Sequence, residues 1–164
     1  MSTQEGFRSS YREHLSELRT KVLRLGTFAA DMLAKALQAL AEQNLELAGE
    51  VRRSDDVADD LDREIEKASM SMLASQQPVS GDLRAIISSL RIATDLERVA
   101  DYSKDIAKVA LAVGDDRWLV PLDSVLAMGA LTGDLLRLAL RAIADQDLGL
   151  ARTVAERDEE IDEQ

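Results

Sequence analysis

Cysteine is absent from the 164 residues, which removes disulfides, thiolate metal sites and cysteine nucleophiles from consideration. Aromatic residues make up only 3% of a chain that is 46% hydrophobic. A core of Ala, Leu, Val, Ile and Met with so few rings suits close helix–helix packing better than a sandwich or a barrel. Two prolines, Pro78 and Pro121, and eight glycines leave little to interrupt long segments, so long helices are favoured. The one histidine, His14, lacks the acid–histidine pairing that a di-iron carboxylate enzyme uses and reads as a surface residue. No glycine-rich phosphate loop, nucleophile elbow or Ser/His/Asp arrangement is present, so the chain is not expected to be an enzyme. The N-terminal stretch lacks the apolar core of a signal peptide, and no segment approaches the length of a membrane span. The expected location is the cytoplasm, without direct membrane insertion. Basic residues number 20 against 31 acidic ones, a net charge of −11. Such a surface repels phosphate backbones, and nucleic acid is not an expected partner.

What is present is a repeat. Residues 31–51 and 134–154 align at a constant offset of 103, with eleven of twenty-one positions identical, from Asp31/Asp134 to Val51/Val154. The register carries two acids along, matching Asp55 with Asp158 and Asp59 with Asp162. A long-period repeat means one structural unit used twice. The first copy continues for about fifty residues beyond Asp59, whereas the second reaches Gln164.

The fold expected is all-α: tandem antiparallel three-helix bundles, the second incomplete. In the first helix, about 7–44, Leu15, Val22, Ala29 and Ala36 fall seven apart, interleaved with Leu18, Leu25, Met32 and Ala39. That is a coiled-coil-like seam in need of partner helices. Gln43-Asn44 breaks it. A second helix, about 45–75, carries Leu47, Val51, Ala58, Leu61, Ile65, Ala68, Met72 and Leu73 inward. Pro78 then forces a turn, and Ser80 or Asp82 caps a third helix to about residue 113, with Leu83, Ile86, Ile87, Leu90, Ala93, Leu96, Ala100 and Ile106 facing the core. Residues 1–114 thus form the first bundle. Residues 115–164 form the incomplete second repeat, with helices at about 117–145 and 148–164. Pro121 is placed in the first turn of the fourth helix, with Trp118 as a packing plug at its start. Residues 156–164 hold six acids and one arginine; alone they read as a solvated tail, and in repeat register as the start of a functional helix.

The chemistry lies in the acids. Glu97 and Asp101 are four apart on one face of the third helix, and Asp55 and Asp59 have the same spacing on the second. In an antiparallel hairpin turning at Pro78, Asp55 and Asp101 are equidistant from the turn, and so are Asp59 and Glu97. If the two pairs face each other, four carboxylates converge within roughly two turns, at ~6 Å per four-residue step. Clustered carboxylates repel unless protonated or bridged by cations. An all-oxygen donor set favours magnesium, calcium or manganese, with iron also compatible. The plainer reading is a solvated face neutralised by Arg98, Arg63 and Lys67. Asp62, Glu66 and Asp105 lie nearby as solvated or supporting acids. A second class of function on the same residues is a carboxylate-bridged metalloenzyme or metal store.

Three motifs, Asp-Asp-Val-Ala-Asp-Asp-Leu-Asp (55–62), Gln-Gln-Pro-Val-Ser-Gly-Asp-Leu-Arg (76–84) and Asp-Leu-Glu-Arg-Val-Ala-Asp (95–101), closely resemble the PhoU family of phosphate-specific transport system accessory proteins. The likeness covers essentially the whole chain. It implies two pseudo-symmetric three-helix bundles in a cytoplasmic, often dimeric, regulator of phosphate homeostasis. Such a protein represses the phosphate-starvation response by contacting the phosphate ABC transporter and its sensor histidine kinase. The family's E(D)xxxD metal motif maps onto Glu97 and Asp101, with Asp55 and Asp59 as the facing pair. The chain departs from the family at its end. The family's second bundle has a third helix whose acids would fall near positions 200 and 204, so Asp158 and Asp162 form only a half-site. A fragment or truncated product is the expectation.

Overall fold

The computed structural model describes residues 2–76, 80–114, 118 and 121–162, with side chains for 11–74, 81–114, 118 and 121–158. Among the described residues there are five helices and no strand: α1 (Ser2–Glu42), α2 (Leu45–Gln76), α3 (Ser80–Val113), α4 (Asp123–Asp145) and α5 (Leu148–Asp162). The chain is all-α. Helices α1, α2 and α3 pack on one another, while α4 packs on α1 and α5 on α4.

The seven-residue pattern of α1 is its buried stripe: Leu18, Val22, Leu25, Ala29, Met32, Ala36 and Ala39 are each at most 3% exposed. Against it α2 buries Ala48, Val51, Ala58, Leu61, Ile65 and Met72, and α3 buries Ile86, Ala93, Leu96, Ala100, Ala107 and Ala110. Two residues expected inside are outside, since Leu83 is 37% and Ile87 39% exposed. The α3 seam runs 86, 93, 100, 107 with 96, 103, 110, and residues 83 and 87 both fall off that stripe on the same flank. Ser103 sits on it. Its hydroxyl donates to the Val99 carbonyl at 2.7 Å, so a fully buried polar group is satisfied within its own helix.

The repeat is exact in its turns. Gln43 (φ 51°) and Gln146 (φ 53°) occupy the left-handed region, ending α1 and α4 without glycine. In both turns the next amide reaches back over the last turn, Asn44 to the Ala39 carbonyl and Asp147 to the Ala142 carbonyl, each at 3.0 Å. The following helix is then capped from the equivalent position: Asn44 Oδ1 accepts from the Leu47 amide at 3.0 Å, and Asp147 Oδ1 from the Gly149 and Leu150 amides.

The fourth helix begins later than the pattern suggested, at Asp123 rather than near 117. Pro121 therefore precedes the helix instead of lying in its first turn. Trp118 also precedes α4 and is partly buried against the core. The expected turn at Gln77-Pro78 and the stretch 115–117 lie outside the described residues.

Two repeat-equivalent glycines fix how the repeats meet. A Cβ on Gly26 would lie 2.2 Å from Leu140 Cδ2, and one on Gly129 would lie 2.6 Å from Leu37 Cδ2. Gly26 matches Gly129 and Leu37 matches Leu140 in the 103-residue register. The contacts are reciprocal, so α1 and α4 cross antiparallel about a local two-fold axis. Each leucine fills the gap left by the missing side chain opposite.

The two units differ in what covers them. Val22 and Leu25 are 2% and 0% exposed, whereas their equivalents Val125 and Met128 are 43% and 41% exposed. In the first unit α3 covers this face; among the described residues no helix does so in the second.

Gly26→Ala is expected to destabilise the fold by ~1–3 kcal/mol, the usual range for overpacking, read from chemical denaturation. Gly49→Ala, whose Cβ would meet only Arg53 Nη1 at 3.2 Å and Cζ at 4.0 Å, is the control expected to cost less. Hydrogen exchange should reach the amides of α5 well before those of the equivalent first half of α2, because among the described helices α5 packs against α4 alone.

Candidate carboxylate centre

Helices α2 and α3 form an antiparallel hairpin whose tightly packed stripe leaves acids along one edge. Asp55, Asp59 and Asp62 on α2, and Glu97 and Asp101 on α3, are all half-buried. The pairing inferred from distance to Pro78 is the pairing the structure displays. Asp55 and Asp101 share one partner, and Glu97 feels the charges of both Asp59 and Asp62 across the hairpin.

The shared partner is Lys104. Its Nζ donates to Asp55 Oδ2 at 2.5 Å and to Asp101 Oδ1 at 2.6 Å. The lysine and Asp55 side chains are 21% and 17% exposed, and that of Asp101 45%. One ammonium thus bridges α2 and α3 in a partly desolvated gap, where it counts for more than on an open surface. The expected neutralisers act elsewhere. Arg63 pairs with Asp60 at 2.7 Å, and Arg98 reaches Asp95 at 4.0 Å and the Tyr102 hydroxyl at 3.3 Å. Lys104 carried a signal that sequence reasoning missed. It stands one helical turn after Asp101, on the edge of α3 that Glu97 also occupies.

The acids respond unequally. Hydrogen bonding from Lys104 holds the Asp101 carboxyl below the usual aspartate range, and Lys104 itself is held above its ordinary value, chiefly by Asp101 and then Asp55. Glu97 goes the other way: burial raises it first, then the charge of Asp101 and their mutual hydrogen bond, with Asp59 and Asp62 adding. Asp62 is likewise raised, by burial and then by Glu66 and Asp59. The face therefore has one partly compensated end, where a single ammonium serves Asp55 and Asp101, and one less compensated end around Asp62 and Glu97.

In the second repeat Asp158 is exposed on α5, and the side chain of Asp162 lies outside the described residues. His14 is half-buried rather than on the open surface, lining a hollow between α1 and α2 with Glu17, Lys21, Ser71 and Met72. Nearby, Lys21 pairs with Glu64 at 2.7 Å and ties α1 to α2.

A duplicated helical unit with this acidic hairpin can be matched to known proteins. A family model described as the PhoU domain fits residues 22–110 and again residues 125–164. The chain belongs to the PhoU family. It is 33% identical over 151 residues to a phosphate-specific transport system accessory protein PhoU homolog of Aquifex aeolicus, covering 92% of this chain and 68% of that protein. To the homolog of Rhizobium meliloti it is 38% identical over 157 residues, covering 94% and 65%. Crystal structures of PhoU from Pseudomonas aeruginosa and of the phosphate transport system regulatory protein PhoU from Streptococcus pneumoniae superpose with TM-scores of 0.89 and 0.84. Their identities to this chain are 29% and 30%; each alignment covers 93% of it, and 74% and 72% of the respective structures. The relatives are named accessory and regulatory proteins, not enzymes, and the PhoU family is associated with the regulation of phosphate transport. No helix among the described residues is long and apolar enough to cross a membrane.

The PhoU-family resemblance implies a metal here, and the carboxylates can be weighed for it. Their donor chemistry, oxygens only, fits a hard cation. Their arrangement does not present an open set of ligands: Asp55 and Asp101 are engaged by Lys104, and among the described residues no three His, Cys, Asp or Glu side chains are grouped as metal ligands. On that resemblance Asp55, Asp59, Glu97 and Asp101 would be the residues to hold a cation, whose charge would relieve their repulsion.

Lys104→Met is expected to lower stability at pH 7 by about 1–3 kcal/mol, between the exposed and the buried ion-pair limits, measured by urea denaturation. The pH dependence has two opposing parts. Asp101, lowered on folding, contributes stability that is present above the ordinary aspartate range and lost as pH falls through its folded value. Glu97, raised on folding from 4.5, costs stability as pH climbs from that value through its raised one. Glu97→Gln should therefore raise the melting temperature at pH 7 and leave it nearly unchanged at pH 4, where the native carboxyl is already protonated.

Proposed function

We propose that this chain is a cytoplasmic, non-enzymatic regulator of phosphate homeostasis. In this reading it restrains phosphate uptake and the phosphate-starvation response by contacting the phosphate ABC transporter and its sensor histidine kinase. The observation that carries the proposal is the match of the PhoU domain to both repeats, 22–110 and 125–164. The overall fold supports it, with TM-scores of 0.84 and above to two PhoU crystal structures.

On this reading the helical surfaces are binding surfaces. The functional chemistry is charge on the α2–α3 edge, with a carboxylate-held metal cation (iron, magnesium, manganese or calcium) ordering that edge when bound. Asp158 and Asp162 are the corresponding half-site of the second repeat. The protein acts as a homodimer, which light scattering after gel filtration would measure.

Expression in a bacterium lacking its own PhoU is expected to restore repression of a phosphate-starvation reporter in high phosphate. A reporter that stays fully active despite soluble, helical protein would remove the regulatory reading. For the metal, Glu97→Ala combined with Asp101→Ala should abolish metal retained by the first bundle, assayed by elemental analysis of protein never exposed to chelator, with helicity nearly unchanged. Undiminished metal in the double variant would sink the site assignment.

A further inference from the structure

The four carboxylates of the α2–α3 edge already have a cation of their own. We infer that Lys104 is a resident counter-ion that holds divalent metal off the first-bundle carboxylates, so that metal enters only when the Lys104 ammonium is displaced. This inference rests on the metal reading of Asp55, Asp59, Glu97 and Asp101 and concerns what controls it.

The geometry is the argument. Lys104 Nζ lies 2.5 Å from Asp55 Oδ2 and 2.6 Å from Asp101 Oδ1, so it stands between the two helices on oxygens a metal would need. An ammonium and a divalent cation cannot share that gap, because like charges at contact distance repel strongly where solvent is partly excluded. Lys104 is moreover three residues from Asp101 on the same helix. It is always at hand, and an external ion must displace an intramolecular competitor. The ammonium brings one positive charge to four carboxylates, and among the described residues Glu97 has no direct cationic partner. The edge therefore still attracts a second cation. Competition rather than permanent exclusion is what this charge balance produces, and Lys104 sets the concentration at which a cation can take over.

The test uses the full chain and Mn2+, its binding followed by loss of the free-ion electron paramagnetic resonance signal. Lys104→Met is expected to bind Mn2+ roughly tenfold more tightly or better than wild type, and to regain with Mn2+ the melting temperature it loses without it. Lys104→Arg should bind like wild type, and adding Asp55→Asn to Lys104→Met should return affinity to the wild-type level. Should Lys104→Met fail to fold by circular dichroism, Lys104→Gln takes its place. The wild-type protein supplies an independent arm: Mn2+ should speed reductive dimethylation of Lys104 relative to Lys35, read by mass spectrometry. Equal affinity in wild type and Lys104→Met, abolished by Glu97→Gln with Asp101→Asn, would overturn the role of Lys104 and leave the metal reading standing. Equally weak binding in all variants, with Lys104 labelling unchanged by Mn2+, would overturn both.

Discussion

Small residues along α1 let other helices approach it closely, and most of the molecule depends on that approach. Ala29, Ala36 and Ala39 are fully buried, and Gly26 has no room for a Cβ because Leu140 of α4 fills the space. Helices α2, α3 and α4 all pack on this one rod. Close approach compensates for the scarcity of aromatic volume, since backbone-near dispersion contacts replace what large rings supply elsewhere. It also brings α2 and α3 near enough for one lysine to span them. The charged edge is thus a consequence of the apolar seam.

That edge is arranged to be unequal. The stripe facing α1 takes every third or fourth residue of α2 and α3, and the acids occupy the flanking positions, too near the core to be fully hydrated and too far out to be buried. Lys104 relieves Asp55 and Asp101. Glu97 and Asp62 are left with raised carboxyls. A surface whose charge is only partly compensated can change its state when a cation, a proton or a basic partner arrives. This suits the regulatory role proposed for the chain.

The duplicated unit explains both the symmetry and its breakdown. Matching left-handed glutamines, matching caps and the reciprocal Gly–Leu contacts follow from two copies of one pattern packed about a two-fold axis. The unequal exposure of Val22 and Val125 follows from α3 having no counterpart among the described residues. The same side chain in the same register is core in one copy and surface in the other. Burial belongs to the assembly of helices, not to the helix.

Periodicity, the repeat and the spacing of acids about Pro78 determined by themselves that the chain is all-α. They also determined which stripe of α1 is buried and which carboxylates stand level across the hairpin. These are properties of helical period and chain connectivity, both local to the sequence. The turns at Gln43 and Gln146 were legible as interruptions, though not as left-handed caps. The start of α4 was misplaced because Pro121 fits the first turn of a helix as well as the residues before one. Only the tertiary structure decided that Leu83 and Ile87 face out and that Gly26 and Gly129 are contact points. It alone singled out Lys104, rather than Arg63, Arg98 or Lys67, as the cation between Asp55 and Asp101. Each of those depends on how far one helix is rotated about its axis against another. A long flexible side chain such as lysine finds its partner only after that rotation is fixed.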